Sequence, residues 1–229
     1  MDNIFCRLKE SMPKKAGEIF LDEYKKATPR INFNGGTYLE IVQMNLVGYN
    51  KFCRERELLK GKIQKEGSFV KTVALSKLIQ ESYLTVIAFA TMFLECIIWD
   101  YAATNTSQLL TEKALGKMSL LGKWQVIPKL VNNNKNINID SDGIGLLKKL
   151  VDERNDIVHS KSKPVPESYE QLIRAIKTNT ESKITIPETI DCIKKCIASL
   201  KEIDTTNYWF FAGDLATKTI LSMKVYVSD

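Results

Sequence analysis

Histidine is almost absent from this chain: His159 is the only one in 229 residues. Cysteine is scarce and scattered, with Cys6, Cys53, Cys96, Cys192 and Cys196 showing no CxxC spacing. A lone imidazole and separated thiols make no zinc ligand set, so neither a metal nor another cofactor is expected. An odd cysteine count without pairing reads as free thiols in a reducing compartment, and Cys192 and Cys196, one helical turn apart, read as small core residues. No apolar run follows the first charges of MDNIFCRLKE, so no signal peptide is expected. The longest uncharged stretch, Ser82 to Leu94, is interrupted by Glu95 well before the roughly 20 residues that a bilayer requires. A soluble, cytoplasmic protein without a membrane segment is the expectation. No internal repeat and no clear domain boundary stand out, and no segment of weight alternates with period two before Tyr208.

What remains is helical. The composition, 44% hydrophobic and 26% charged, is that of a globular chain long enough to bury a core. The net charge of +6 is uneven: residues 1–80 hold 15 Lys+Arg against 9 Asp+Glu, and residues 81–229 hold 18 of each. Arg54, Arg56, Lys60, Lys62, Lys65, Lys71 and Lys77 supply most of the later excess. Such a block either meets phosphates or is simply the solvated face of a helix.

Residues 1–27 read as one or two short helices broken near Pro13, with Ile19, Phe20 and Tyr24 on one face. Residues 28–36, with Pro29 and Gly35-Gly36, read as a turn. Thr37 to Lys65 is helical through Leu39, Val42, Leu46, Tyr49 and Cys53. Gly67-Ser68 reads as a stop followed by a cap, opening the longest helix, Phe69 to Tyr101. Its first half is amphipathic through Val70, Val73, Leu75, Leu78 and Ile79. From Leu84 to Trp99 it is apolar nearly all round, the mark of a helix enclosed by others. Glu95 interrupts that section, and a carboxylate there calls for a cation.

Thr104 to Lys117 reads as irregular or as a short helix. Ser119 caps a helix in which Leu121, Trp124 and Ile127 share a face and Pro128 forces a bend. Trp124 reads as a core plug more readily than as a base-stacking residue. A polar loop (132–143) follows, then a helix from near Asp142 that fades before Pro164. A further helix is expected over 164–179. Thr185-Ile186-Pro187-Glu188 is a capping box opening a helix with Ile190, Ile193, Ile197 and Leu200 inward. Tyr208 to Asp229 is ambiguous: ILSMKVYV reads as a strand or a helix end, the tail as short β or irregular chain, and Tyr208, Trp209, Phe210 and Phe211 read as core or as a dimer contact. The fold class is all-α, a helical bundle around a long buried helix.

The chemistry sits in IGLLKKLVDERNDIVH, residues 144–159. Ile144, Leu147, Val151, Arg154 and Val158 recur at three and four, which puts Arg154 in line with the apolar stripe. Asn155 and His159, four apart, share a neighbouring face. A guanidinium in line with the core needs a carboxylate, and Glu95 is the first candidate and Asp100 the second.

Arg154 and His159, spaced as R-N-D-I-V-H with Asn155 and Asp156 between them, resemble the signature of the HEPN superfamily, an Arg, four to six intervening residues and then a His, usually with a polar residue directly after the Arg. GKWQVIPKLV is similar to a stretch of bacterial HEPN-like proteins, and FLECII at 93–98 resembles their buried helix with an acidic residue. The resemblance spans about residues 69–205. It implies one helical domain over 1–229, with 1–68 as a basic helical extension and 69–205 as the HEPN-like core. It also implies a bundle of four or five helices that forms a homodimer, with two motifs facing one cleft, and a metal-independent endoribonuclease as the activity.

Imidazole titrates near neutrality and suits proton transfer from a 2′-hydroxyl, and a guanidinium can grip the phosphate as it gathers charge. Under this resemblance Arg154, Asn155 and His159 are the catalytic candidates, with Glu95, Asp156 and Asp100 in support. Lys161, Lys163, Arg54 and Arg56 are candidate RNA contacts. An antitoxin or regulatory protein is a further candidate partner, since roles in toxin–antitoxin systems and phage defence are common among such proteins. The motif departs from one toxin subgroup, which carries a Tyr two residues past the His; here Ser160 and Lys161 follow His159. The alternative is a non-catalytic HEPN-like binding or scaffold module, in which Arg154 ties helices together and His159 simply ends its helix.

Overall fold

The computed structural model describes residues 34–60, 68–106, 108–131, 141–159, 182–203 and 222. Among them run six α-helices and no strand, so the all-α expectation holds. They are α1 (Asn34–Leu58), α2 (Ser68–Asn105), α3 (Gln108–Lys113), α4 (Leu120–Val131), α5 (Ser141–Val158) and α6 (Ile186–Ile203), with a 3-10 turn at Leu115–Lys117. The helices expected over 1–27 and 164–179, Cys6, and the tail from Tyr208 with its Trp209, Phe210 and Phe211, Ser222 excepted, lie outside the described residues.

Helix α2, 38 residues and therefore about 57 Å long, is the axis of the fold. Val86, Ile87, Ala90, Phe93, Leu94, Ile97, Ile98, Tyr101 and Ala102 are all buried, so the section expected to be enclosed on every side is enclosed on one. The opposite side is a broad band: Leu84, Thr85, Ala88, Phe89, Cys96 and Trp99 are half-buried, and Met92 and Glu95 are exposed. By length and composition α2 could cross a membrane, but half of its apolar window is buried within the protein, as in a core helix. Near its C-terminus the side chains of Thr104, Asn105 and Thr106 donate back to the carbonyls of Asp100, Tyr101 and Ala102, second bonds on carbonyls that the helical N–H groups already use.

Helix α1 lies antiparallel to α2. A Cβ at Gly35 would sit 3.6 Å from Cys96 Cβ, and one at Gly48 would sit 3.7 Å from Ser82 Oγ. Gly35 and Gly36 form the first turn of α1 rather than the expected loop, and that turn lies beside Cys96, where a Cβ at Gly35 would make ordinary van der Waals contact. Leu39, Val42, Leu46 and Cys53 form the buried stripe, and the first three join the same core as α2, α4, α5 and α6. The helix ends at Leu58, short of Lys65, in a turn where the Leu59 and Lys60 N–H groups donate to the Arg56 and Glu57 carbonyls.

The early part of α2 departs from expectation. Of its apolar face only Leu75 is buried, while Val70, Val73 and Leu78 are exposed together with Phe69, and Ile79 is half-buried. Helix α1 runs alongside α2 toward this end, and one neighbouring helix covers only a narrow strip of another's surface.

Ser119 caps α4 as its position predicts, its Oγ accepting from the Gly122 N–H at 3.2 Å. Trp124 and Ile127 are fully buried, so Trp124 is a core plug rather than a stacking platform. Pro128 is carried inside the last turns of the helix. The capping box of α6 is complete. Thr185 donates from its backbone N–H and its hydroxyl to Glu188 Oε2 (2.8 and 2.9 Å), and the Glu188 N–H returns a bond to Thr185 Oγ1. Ile190, Ile193, Ile197 and Leu200 are buried, and so are Cys192 and Cys196 as free thiols.

Candidate functional site

Helix α5 presents three faces, one to the core, one to α6 and one to solvent. Leu147 and Leu150 are fully buried, and Arg154 follows them at seven and four residues, in line with the core stripe as expected. The stripe leaves the core before the helix ends, however: Arg154 is only half-buried and Val158 is 52% exposed. The last turn of α5 therefore carries Arg154 to the rim of the core instead of into it.

A second row faces α6. Asp142 approaches Lys195 (3.9 Å), Lys149 pairs with Glu188 (2.9 Å) and Asp156 pairs with Lys183 (2.6 Å). On α5 these ties fall every seven residues, two helical turns, while their partners descend from 195 to 183, which sets the two helices antiparallel. Exposed pairs of this kind add little stability, but their alternating signs select one register.

The third face is open, with Asn155 and His159 both exposed. The His159 N–H donates to the Asn155 carbonyl at 2.8 Å, so the helical path continues to the imidazole.

The end of α5 is anchored by Glu153. Its Oε1 accepts from the Tyr83 hydroxyl of α2 (2.8 Å), and its Oε2 accepts from the Lys183 backbone N–H (2.7 Å). Tyr83 shares the same hydrogen with the Ile184 carbonyl (2.9 Å). Burial, and next the Glu153 carboxylate, hold the Tyr83 phenol well above its ordinary pKa. Asp156, and behind it Asp152 and Glu153, raise the pKa of the exposed Lys183 ammonium.

The expected Glu95–Arg154 pair is not formed. Glu95 pairs with Lys123 of α4 at 2.6 Å, and that ammonium also lies 5.4 Å from the ring centre of Trp99. Position along α2 explains the failure. The residue beside Arg154, Glu153, meets α2 at Tyr83, and Glu95 is twelve residues further on, about 18 Å along the axis. Glu95 also lies on the partly open side of α2, and it is Lys123, with a side chain only 5% exposed, that is the buried charge. Asp100 lies further still along α2 and does not pair with Arg154 either.

Arg154 instead turns toward the open face, where Nη1 donates to Asn155 Oδ1 at 3.1 Å. Five residues of helix rotate His159 about 140° from Arg154, so the amide of Asn155 bridges only part of the way round to the imidazole. Asp156, assigned to support, spends its carboxylate on Lys183.

Among the other candidates, Arg54 is exposed near the end of α1, and Arg56 lies in its last turn, where its charge opposes the upward shift of the Cys53 and Tyr49 pKa values caused by burial. Lys161 and Lys163 lie outside the described residues. Among the described residues no group of three or more His, Cys, Asp or Glu is placed to hold a metal ion.

Sequence reasoning missed Tyr83, Glu153 and Lys183. The capping box at Thr185 was the only sequence signal near Lys183, and it marks a helix start without saying what that start touches. Comparison with protein-family models, with curated proteins and with solved structures finds no match to this chain.

Proposed function

We propose that the protein is a HEPN-type, metal-independent endoribonuclease acting on RNA, with Arg154, Asn155 and His159 as its catalytic side chains. The observation that carries this reading is the exposed strip at the end of α5, where the Arg154 guanidinium is turned onto the Asn155 amide and His159 lies one turn beyond. In that arrangement His159 takes the proton from the ribose 2′-hydroxyl, and Arg154 and Asn155 donate to the phosphate oxygens as they gather charge. The rotation of about 140° between guanidinium and imidazole favours a cleft shared by two copies, in which each chain supplies what the other turns away. The setting suggested by the resemblance is cytoplasmic, in a toxin–antitoxin or phage-defence system with a protein antitoxin or regulator.

The bond from Arg154 to its own neighbour supports a second reading. A half-buried Arg154 that bonds its own neighbour suits a non-catalytic HEPN-like binding or scaffold module as well. The test is incubation of purified protein with several single-stranded RNAs in excess EDTA, wild type against His159→Ala. Cleavage that survives EDTA and vanishes in the variant supports the ribonuclease. Cleavage lost in EDTA overturns the metal-independent mechanism, and no cleavage by either protein favours the binding module. A strict monomer by light scattering at high concentration would remove the shared cleft.

A further inference from the structure

Lys183 is distant from the motif in sequence and adjacent to it in space. Its backbone N–H is held by Glu153, itself fixed by Tyr83, and its ammonium is held by Asp156 at 2.6 Å. Helical geometry then places it relative to the imidazole. His159 follows Asp156 by three residues, about 60° round α5, against about 140° for the step from Arg154 to His159. The residues flanking His159 on its own helix are thus Asn155 and Asp156, and Asp156 brings Lys183 with it. Both partners of this pair are exposed, so the ammonium is accessible to a ligand.

We infer that Lys183 is the phosphate-binding cation beside His159 in each chain, held in reserve by Asp156. The inference rests on the ribonuclease reading and deepens it: the ligand is the RNA backbone, and a phosphate must compete with the Asp156 carboxylate for the ammonium. Asp156 then acts against binding. A purely structural tie between α5 and the start of α6 would make the two partners equivalent, and a phosphate site makes them opposed.

Binding of a fluorescent single-stranded RNA, measured by anisotropy in a His159→Ala background so that no strand is cut, separates these cases. Lys183→Gln weakens binding several-fold and flattens the slope of log affinity against log salt by about 0.7, the share of one phosphate contact on a single strand. Lys183→Arg restores most of the affinity. Asp156→Asn, which frees the ammonium, tightens binding several-fold, and the gain disappears in the Asp156→Asn/Lys183→Gln double variant.

If Asp156→Asn and Lys183→Gln move affinity in the same direction, or the gain of Asp156→Asn persists without Lys183, the inference is overturned while His159-dependent cleavage by the wild type leaves the ribonuclease standing. Failure of the wild type to bind or cut any RNA overturns both. Circular dichroism melts of each variant identify any loss that arises from unfolding.

Discussion

Tyr83 and Glu153, seventy residues apart, meet at 2.8 Å where the enclosed half of α2 gives way to its exposed half. That bond fastens α5 to the axis of the bundle and, through the Lys183 N–H and the Ile184 carbonyl, fastens the approach to α6 at the same point. Ile184 is itself fully buried there. The position of the Arg154–His159 segment follows from this joint, because Glu153 is the residue directly before it.

Tyr83→Phe removes the donor and leaves Glu153 bound only to the Lys183 N–H. The expected cost is about 1–2 kcal/mol in chemical denaturation, reduced from a buried charged hydrogen bond by the partial exposure of the ring. The pH dependence gives a second check. Because the folded-state pKa of Tyr83 is raised, its contribution is complete below the ordinary tyrosine value of about 10 and is lost as pH rises above it. The difference in stability between wild type and Tyr83→Phe therefore narrows in alkaline solution. A constant difference from pH 7 to 11 would contradict the shift.

Glu95 and Lys123 are unequal partners. The Lys123 side chain is 5% exposed and that of Glu95 49% exposed, so removing the carboxylate leaves a buried ammonium with the Trp99 ring nearby, whereas removing the ammonium leaves a carboxylate that water can solvate. Glu95→Ala is expected to destabilise by about 1–3 kcal/mol, and Lys123→Met by less, or to stabilise. Thermal melts of the two variants rank them, and the opposite order would refute the assignment of Lys123 as the buried charge.

The capping box at α6 sets the behaviour in acid. The Thr185 backbone N–H, followed by the Lys149 ammonium, lowers the Glu188 pKa, so its contribution is present above the ordinary glutamate value of about 4.3 and is lost as pH falls through the lowered folded value. Glu188→Gln should flatten this acid limb of the stability profile. Thr185→Ala should cost about 1 kcal/mol at neutral pH through loss of the cap. Urea midpoints measured at pH 3, 5 and 7 test both variants.

How much of this was legible in the sequence depends on the distance over which each feature acts. Spacings of three and four marked the stripe of α1 through Leu39, Val42 and Leu46, and local capping chemistry marked Ser119 and the Thr185–Glu188 box, because the residues involved lie within one or two turns of each other. Glu95 was misread for a different reason. A single carboxylate in an apolar helix looks the same whether it points inward or lies on the side left partly open, and only the position of α4 decides between them.

Arg154 was placed on the correct angular stripe, but periodicity says nothing about where along a helix the core stops. The Tyr83–Glu153 joint and the approach of Lys183 to Asp156 are tertiary events between segments with no shared pattern, and no local signal announces them.

Arg154 offers the sharpest separation of structure from function. A guanidinium paired to a carboxylate inside the core would cost about 3–5 kcal/mol to truncate, since an uncompensated charge would stay behind. Among the described residues Arg154 has no ion pair, only the bond to Asn155 at 3.1 Å. Truncation leaves a neutral amide at an exposed position, and water replaces the lost donor. Arg154→Ala is therefore expected to shift stability by less than about 1 kcal/mol, in the range of substitutions away from buried networks. Under the ribonuclease reading the same variant loses nearly all cleavage, because the developing phosphate charge loses its bidentate donor. Arg154→Lys keeps the charge without the planar fork and should recover only a small part of the rate. Melting curves and cleavage rates on the same protein preparations decide the matter. A variant that loses several kcal/mol would mean that Arg154 holds the fold together, and one that keeps both its stability and its cleavage rate would remove Arg154 from the site.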